Sequence, residues 1–176
     1  ARAWKRLVAR HGGEATARMR FLKVVTDALD HRGTVSVLRS PVKDSGVSVR
    51  LCYFKPASGL NAQQSARYAA NRLGVTRQLH HSESRPGDSL DLVLSVNGIP
   101  VATAELKNPL TGQGVEHAKT QYRTDRNPHD LIFRSRALVH FAVDPYHVAM
   151  TTQLVGQETR FLPFDQGSAG AGSPGA

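Results

Sequence analysis

Cysteine is almost absent from this 176-residue sequence, which contains Cys52 alone. One thiol excludes an internal disulfide framework and any metal site built on two thiolates, so a reducing cytoplasm fits best. We expect Cys52 to be a small buried hydrophobe rather than a catalytic thiol. No run approaches the roughly 18 to 20 apolar residues of a membrane span, and the N-terminus lacks the apolar core of a signal peptide. These absences predict a soluble, cytoplasmic protein with no membrane partner.

Three nucleotide- or metal-binding motifs are also missing. No Walker A sequence is present, so any ATPase belongs outside this chain. The eight histidines do not have metalloprotease spacing. The segment 112–114 lacks the third glycine of a dinucleotide-binding loop and is interpreted as a flexible connection.

Basic residues outnumber acidic ones, with 23 Lys and Arg against 14 Asp and Glu, a net charge of +9 and a pI near 10.3. This balance favours a polyanionic partner such as nucleic acid. Five basic residues follow the candidate site described below and either contact phosphates or form a solvated basic face: Lys119, Arg123, Arg126, Arg134 and Arg136. If they bind DNA, affinity should fall with salt.

Hydrophobic periodicity and turn residues predict one domain over residues 1–164 and a Gly/Ser/Pro-rich linker over 165–176. The predicted helices are Glu14–Asp30 ending near Gly33, Asn61–Leu73 with Asn61 as its cap, and Val115–Asp125. The predicted β segments are Thr34–Leu38, Val47–Phe54, Val75–His81, Ser89–Val96, Ile99–Leu106, Ala137–Val143 and Tyr146–Thr152.

The chemistry is expected on the hairpin of Ser89–Val96 and Ile99–Leu106. Side chains alternate along a strand, so Glu105 and Lys107 share a face. By itself this pair is equally well a solvated ion pair. Asp91 on the partner strand strengthens the functional interpretation, because acids are depleted in strands and seldom buried alone.

The pairing register decides whether the two acids meet. Regular pairing around a two-residue Asn97-Gly98 turn would place Asp91 opposite Ala104, on the wrong face. A three-residue loop or a bulge with Gly98 left-handed shifts the pairing by one and joins Asp91 to the face of Glu105. Pro100 cannot donate to a ladder, so we predict an irregularity near Asn97–Pro100.

Two convergent carboxylates suit a hard cation. Mg²⁺, with Mn²⁺ as a substitute, would be held by Asp91, Glu105 and the backbone carbonyl of Leu106, with waters completing its shell. Such a metal would polarise a phosphoryl oxygen and lower the pKa of a bound water. Lys107 would orient that water or neutralise developing charge.

The residues Asp91, 97–100 and 105–109 resemble the PD-(D/E)XK nuclease domain that begins type I restriction-enzyme R subunits. The resemblance extends over most of the chain from about Gly33. It implies an α/β fold, a mixed β-sheet flanked by helices, and a magnesium-dependent endodeoxyribonuclease. It also implies cleavage of double-stranded DNA within a complex that includes methylation and specificity subunits, with ATP used by motor domains outside this chain.

Members of this family often carry a QxxxY motif on the helix after the lysine. Gln121 fits its first position, which implies a catalytic role, but Asp125 occupies the fifth and Tyr122 follows the glutamine directly. The alternative for Gln121 is an ordinary surface position on the helix.

Two other hypotheses about the function of the chain are consistent with the sequence. The first is a non-catalytic module that binds DNA or a partner subunit and has a degenerate nuclease site. The second is a different helicase-linked nuclease or one acting on RNA, since a metal site of this kind senses only a phosphodiester.

Overall fold

The computed structural model describes residues 2–164, and the chain divides into two compact units, Ala1–Arg72 and Leu73–Ala176. Each unit is described by itself. The domain predicted over 1–164 stays a prediction, and the linker predicted over 165–176 lies outside the described residues. No described helix is long and apolar enough to cross a membrane.

The first unit contains three helices and a short hairpin. Its helices are α1 (Arg2–His11), α2 (Glu14–Arg39) and α3 (Ala62–Ala69), and its strands are β1 (Val42–Asp44) and β2 (Val47–Val49). The antiparallel pair β1–β2 closes through Ser45 and Gly46, both with positive φ. Asn61 caps α3 by accepting a hydrogen bond from the Gln64 amide, which confirms the predicted cap.

Helix α2 confirms one prediction and corrects another. The predicted helix from Glu14 is present, and the backbone leaves helical geometry at Gly33 (φ 75°, ψ 160°) as expected of a stop. The strand predicted over Thr34–Leu38 is wrong, because the chain resumes a helix there. Thr34, Val37 and Leu38 are buried at helical spacing, so packing overrides the β preference of a β-branched segment.

Three further differences concern one helix and the ends of two other elements. The helix predicted over Asn61–Leu73 ends at Ala69, because Leu73 and Gly74 already pair in a strand. Helix α1 was not predicted from the sequence. The strand predicted over Val47–Phe54 ends at Val49, and the residues after it are irregular.

The second unit is built on a six-stranded sheet in the order β3-β4-β5-β6-β7-β8. The strands are β3 (Leu73–His80), β4 (Ser89–Val96), β5 (Ile99–Leu106), β6 (Val139–Val143), β7 (Val148–Thr151) and β8 (Leu162–Pro163). All neighbours are antiparallel except β5 and β6, which are parallel. The predicted class, a mixed sheet with flanking helices, is confirmed.

Helix α4 (Val115–Thr124) lies in the crossover that joins the parallel strands β5 and β6, and it packs on the sheet. Small side chains line the contact, with Ala118, Ala142 and Ala149 all buried. A larger apolar cluster forms the rest of the core: Leu90, Val93, Tyr122, Ile132, Phe133, Ala137 and Leu154. This arrangement fixes the C-terminal ends of β5 and β6 beside the start of α4.

Candidate active site

The β4–β5 hairpin turns through two residues. Val96 pairs with Ile99, and the turn residues Asn97 and Gly98 have φ values of 52° and 84°. Positive φ at both positions is the geometry that an Asn-Gly pair favours in a two-residue hairpin. The turn is therefore regular, and the irregularity lies one step further along β5.

A bulge shifts the register directly after this turn. Ser95 pairs with Pro100, but Leu94 pairs with Ala102, so Val101 is an extra residue on β5. The irregularity was predicted near Asn97–Pro100, whereas the structure keeps that connection regular and has the bulge at the next residue of β5, Val101. Pairing then continues in the new register to Leu92 and Ala104, and one step further the register sets Asp91 opposite Glu105. The two acids thus face each other on one side of the hairpin.

Asp91 is held by two donors. Its Oδ1 accepts a hydrogen bond from Gln78 Nε2 at 3.0 Å, and its Oδ2 accepts one from the Leu106 amide at 2.8 Å. The last paired residues of β4 and β5 are Leu92 and Ala104, so the Asp91 carboxylate takes the place of a ladder partner at Leu106. Each carboxylate oxygen has a second lone pair, which leaves Asp91 able to bind a cation as well.

Glu105 has no exposed surface, and the protein treats its two oxygens differently. Arg126 Nε and one terminal guanidinium nitrogen lie 2.7 Å and 2.6 Å from Oε1. Oε2 is buried with no hydrogen-bond partner among the described residues. Burial raises the pKa of Glu105 to about 7, although the Arg126 charge opposes the shift and the neighbouring Asp91 charge adds to it.

Leu106 and Lys107 complete the predicted set at the end of β5. The Leu106 carbonyl leaves the strand on the same edge as its amide, which is the edge that Asp91 occupies. The Lys107 amide donates to the Val143 carbonyl, so the chain still pairs with β6 here, and its side chain is half-buried. No ion pair joins Lys107 to Asp91 or Glu105 within residues 2–164.

Gln121 and Tyr122 are neighbours on α4, but their side chains have different environments. Gln121 Oε1 is buried and lacks a partner in the described part of the chain. Tyr122 is fully buried, and its hydroxyl lies 2.8 Å from the Oγ1 of Thr103, a residue on the same face of β5 as Glu105. Asp125 forms the C-terminal cap of α4 and is exposed.

The residues present fit a magnesium ion. No group of three or more His, Cys, Asp or Glu that could hold a metal is found among residues 2–164. Magnesium does not need one, because it is commonly held by one or two carboxylates and keeps several waters. Glu105 Oε2 and Gln121 Oε1 are buried and have no hydrogen-bond partner in residues 2–164. Buried acceptors of this kind are groups that a metal or its waters would satisfy.

Sequence reasoning missed two residues that hold the acids. Gln78 binds Asp91 and also accepts from Ser89 Oγ at 2.8 Å, and its φ is 49°, a rare value for a residue with a side chain. Arg126 pairs with Glu105 and donates to the Ser89 carbonyl at 2.8 Å. Neither is close in sequence to the acid it holds, so no local spacing indicated these contacts.

The predicted basic cluster in 119–136 is not an open phosphate-binding face. Arg126 and Arg136 are buried, with 6% and 8% of their surface exposed. Lys119 pairs with Glu116 at 2.6 Å, and Arg123 donates to the Thr159 carbonyl while lying over the Phe161 ring. Arg134 alone of the five is exposed.

A mixed sheet with helices, and two acids facing each other on one hairpin, define a nuclease-like α/β domain. The chain belongs to the family described as type I restriction enzyme R protein N terminus, which matches residues 29–161. The match confirms the resemblance drawn from the hairpin motifs. No match was found among curated proteins or among solved structures.

Proposed function

We propose that this chain is a magnesium-dependent endonuclease module that hydrolyses DNA phosphodiester bonds within a type I restriction complex. The bulge at Val101 carries the proposal, because the register that it sets, continued by one step, places Asp91 opposite Glu105. The Oε2 of Glu105 has no hydrogen-bond partner among the described residues. A register without the bulge would separate the two acids. Membership of the restriction-enzyme family supports DNA as the substrate and a restriction complex as the setting.

Asp91, Glu105 and the Leu106 carbonyl would hold Mg²⁺ or Mn²⁺. When bound, the metal supplies Lewis-acid polarisation of a phosphoryl oxygen and a water of lowered pKa. Gln78 and the Leu106 amide orient Asp91, and Arg126 holds the Oε1 of Glu105. Burial of Glu105 excludes bulk water from that side.

Lys107 and Gln121 would act on the reacting groups. Lys107 carries a positive charge at the end of the same strand, where it would orient the attacking water or neutralise charge on the phosphate. Gln121 would use its unpartnered Oε1 to accept a hydrogen bond from a water or a nucleotide. ATP would act through motor domains outside this chain. The partners of the chain would be double-stranded DNA and the methylation and specificity subunits, and the complex would act in the cytoplasm.

The test uses the complete restriction complex. Glu105→Ala and Lys107→Ala should each abolish nicking while leaving DNA binding and ATP hydrolysis largely intact. Glu158→Ala and Arg160→Ala, which change exposed residues of the same charge, serve as matched controls and should cleave normally. Unchanged cleavage in the Glu105 and Lys107 variants would refute the assignment.

One observation favours a second candidate, a binding module with a degenerate site. Arg126 already places a cation on Glu105, where the metal would otherwise be the counter-charge. Binding of Mn²⁺ to the chain, followed by electron paramagnetic resonance, separates the two. The nuclease proposal requires binding that Glu105→Ala weakens, and the degenerate site predicts none.

A further inference from the structure

The excess of basic over acidic residues lies in the first unit of the chain. Residues 1–72 contain fourteen Lys and Arg against four Asp and Glu, whereas residues 73–176 contain nine against ten. The first unit therefore has a net charge of +10 and the second of −1. A phosphodiester substrate is a polyanion, and the unit with the candidate nuclease site has no net positive charge with which to attract it.

Within the first unit, helix α1 has one open basic face. Arg2, Lys5 and Arg6 stand at i, i+3 and i+4, and all three are exposed. No described acid pairs with any of them, and α1 contains no acidic residue. Asp44, which contacts the end of α1, is buried and lies 2.9 Å from His11 Nε2. We call Arg2, Lys5 and Arg6 the α1 basic face.

We infer that the α1 basic face binds the phosphate backbone of double-stranded DNA independently of base sequence. The inference rests on the proposed function for the substrate class, while the surface itself lies before residue 29, outside the family match. The three charges span about 6 Å of helix axis. Three successive phosphates of one DNA strand span a similar length, about 7 Å, at about 3.4 Å of duplex axis per step.

The packing of α1 favours DNA over an anionic membrane as the partner of its basic face. A helix that binds a membrane surface must insert its apolar face among the lipids. The apolar face of α1 is already occupied, because Leu7 has no exposed surface and the Trp4 ring packs edge-on against Phe21 with centroids 6.2 Å apart. The basic face alone remains available, which suits a partner bound through charge.

The experiment measures binding of the 176-residue chain to a fluorescent DNA duplex by anisotropy in EDTA, where cleavage cannot occur. The test variant combines Arg2→Gln, Lys5→Gln and Arg6→Gln, since glutamine keeps a high helix propensity. The control variant combines Arg77→Gln, Arg134→Gln and Arg160→Gln, three exposed residues of the second unit. Both lose the same net charge, and circular dichroism checks that both are folded.

We expect the test variant to bind the duplex at least about tenfold more weakly at 0.1 M salt. The slope of log affinity against log salt should fall by about 2.7, or about 0.9 for each lost phosphate contact. The control variant should keep the wild-type slope. An equal change in both variants, or an unchanged slope in the test variant, would overturn the inference.

Vesicles of phosphatidylcholine and phosphatidylserine provide the competing arm. Loss of vesicle binding in the test variant with duplex binding intact would assign the face to lipid and overturn the DNA inference. Because duplex binding is measured without metal, the two proposals can fail separately. Weaker duplex binding by the test variant, together with no cleavage by the wild-type complex, would reject only the proposed function. Cleavage by the wild-type complex, together with unchanged duplex binding by the test variant, would reject only this inference.

Discussion

Glu105 is a carboxylate in a site that disfavours its charge. Its pKa of about 7 lies above the ordinary glutamate value of 4.5, so the folded protein binds this proton more tightly than the unfolded chain does. Its contribution to stability is therefore complete below about pH 4.5 and is lost as the pH rises through about 7. Since one pKa unit corresponds to about 1.4 kcal/mol, the change amounts to about 3 kcal/mol.

Glu105→Gln should remove this pH dependence. The free energy of unfolding of the wild type, measured with urea in EDTA, should fall relative to that of the variant between pH 5 and pH 8. Taking the difference between the two proteins cancels the titration of histidines common to both. Glu158→Gln, at an exposed position, is the control and should follow the wild type. A constant difference between wild type and Glu105→Gln would contradict the raised pKa.

Gln78 combines an unfavourable backbone with a contact to the site. Its left-handed conformation costs on the order of 1 kcal/mol, which glycine would relieve. Gln78→Gly also removes the bonds to Asp91 and Ser89, worth about 1 kcal/mol, so the free energy of unfolding should change little. Loss of a residue that orients a metal ligand typically weakens metal binding about 10- to 100-fold.

We therefore expect Gln78→Gly to weaken Mn²⁺ binding while leaving the stability nearly unchanged. Calorimetric titration and urea unfolding measure the two quantities on the same sample. Asn97→Gly is the matched control, because Asn97 has a similar φ of 52° but lies in the turn. If Gln78→Gly bound Mn²⁺ with wild-type affinity, the hydrogen bond from Gln78 would not be needed to orient Asp91 for the metal.

At the level of elements, Asp144 joins the end of β6 to the start of α4. Its Oδ2 accepts from the Val115 amide at 2.7 Å, and its Oδ1 accepts from the Tyr146 and His147 amides at 2.8 Å and 2.7 Å. Burial alone would raise the pKa of Asp144, but these three backbone donors outweigh it and lower the pKa. The resulting stability is present above the ordinary pKa of an aspartate and is lost as the pH falls through the lowered value.

Asp144→Ala should lower the free energy of unfolding by about 1 to 2 kcal/mol at neutral pH, the usual cost of losing a helix cap. Hydrogen exchange should quicken at the first turn of α4. Asp125→Ala, which changes the acid at the other end of the same helix, should not destabilise the protein, since a negative charge is unfavourable there. Equal effects of the two substitutions would argue against a capping role.

The sequence predicted the elements that local patterns define. Strands β4 and β5 were predicted with their observed ends, and the bulge followed from requiring Asp91 and Glu105 to share a face. Thr34–Leu38 was predicted wrongly because a short apolar, β-branched run does not reveal whether its burial is helical. The partners of the acids, Gln78 and Arg126, could not be predicted, since each contact joins separate elements and depends on packing.

At the scale of the whole molecule, charge and chemistry lie in different compact units. The first unit has the excess of basic residues, and the second has the facing acids and the mixed sheet. A divalent cation that binds between Asp91 and Glu105 should therefore stabilise the second unit directly. Mass action sets the size of the effect, about 1.4 kcal/mol at a metal concentration ten times the dissociation constant.

Hydrogen exchange with and without Mn²⁺ measures this stabilisation residue by residue. Protection should rise in strands β4 and β5, whose ends carry the two acids, and should stay constant in α1 and β1, which have no part in the site. In Glu105→Ala the metal should change neither region, because one of the two acids is gone. Protection that rises equally in wild type and variant would place the cation elsewhere on the chain, and Glu105 would then be the buried partner of Arg126 rather than a metal ligand.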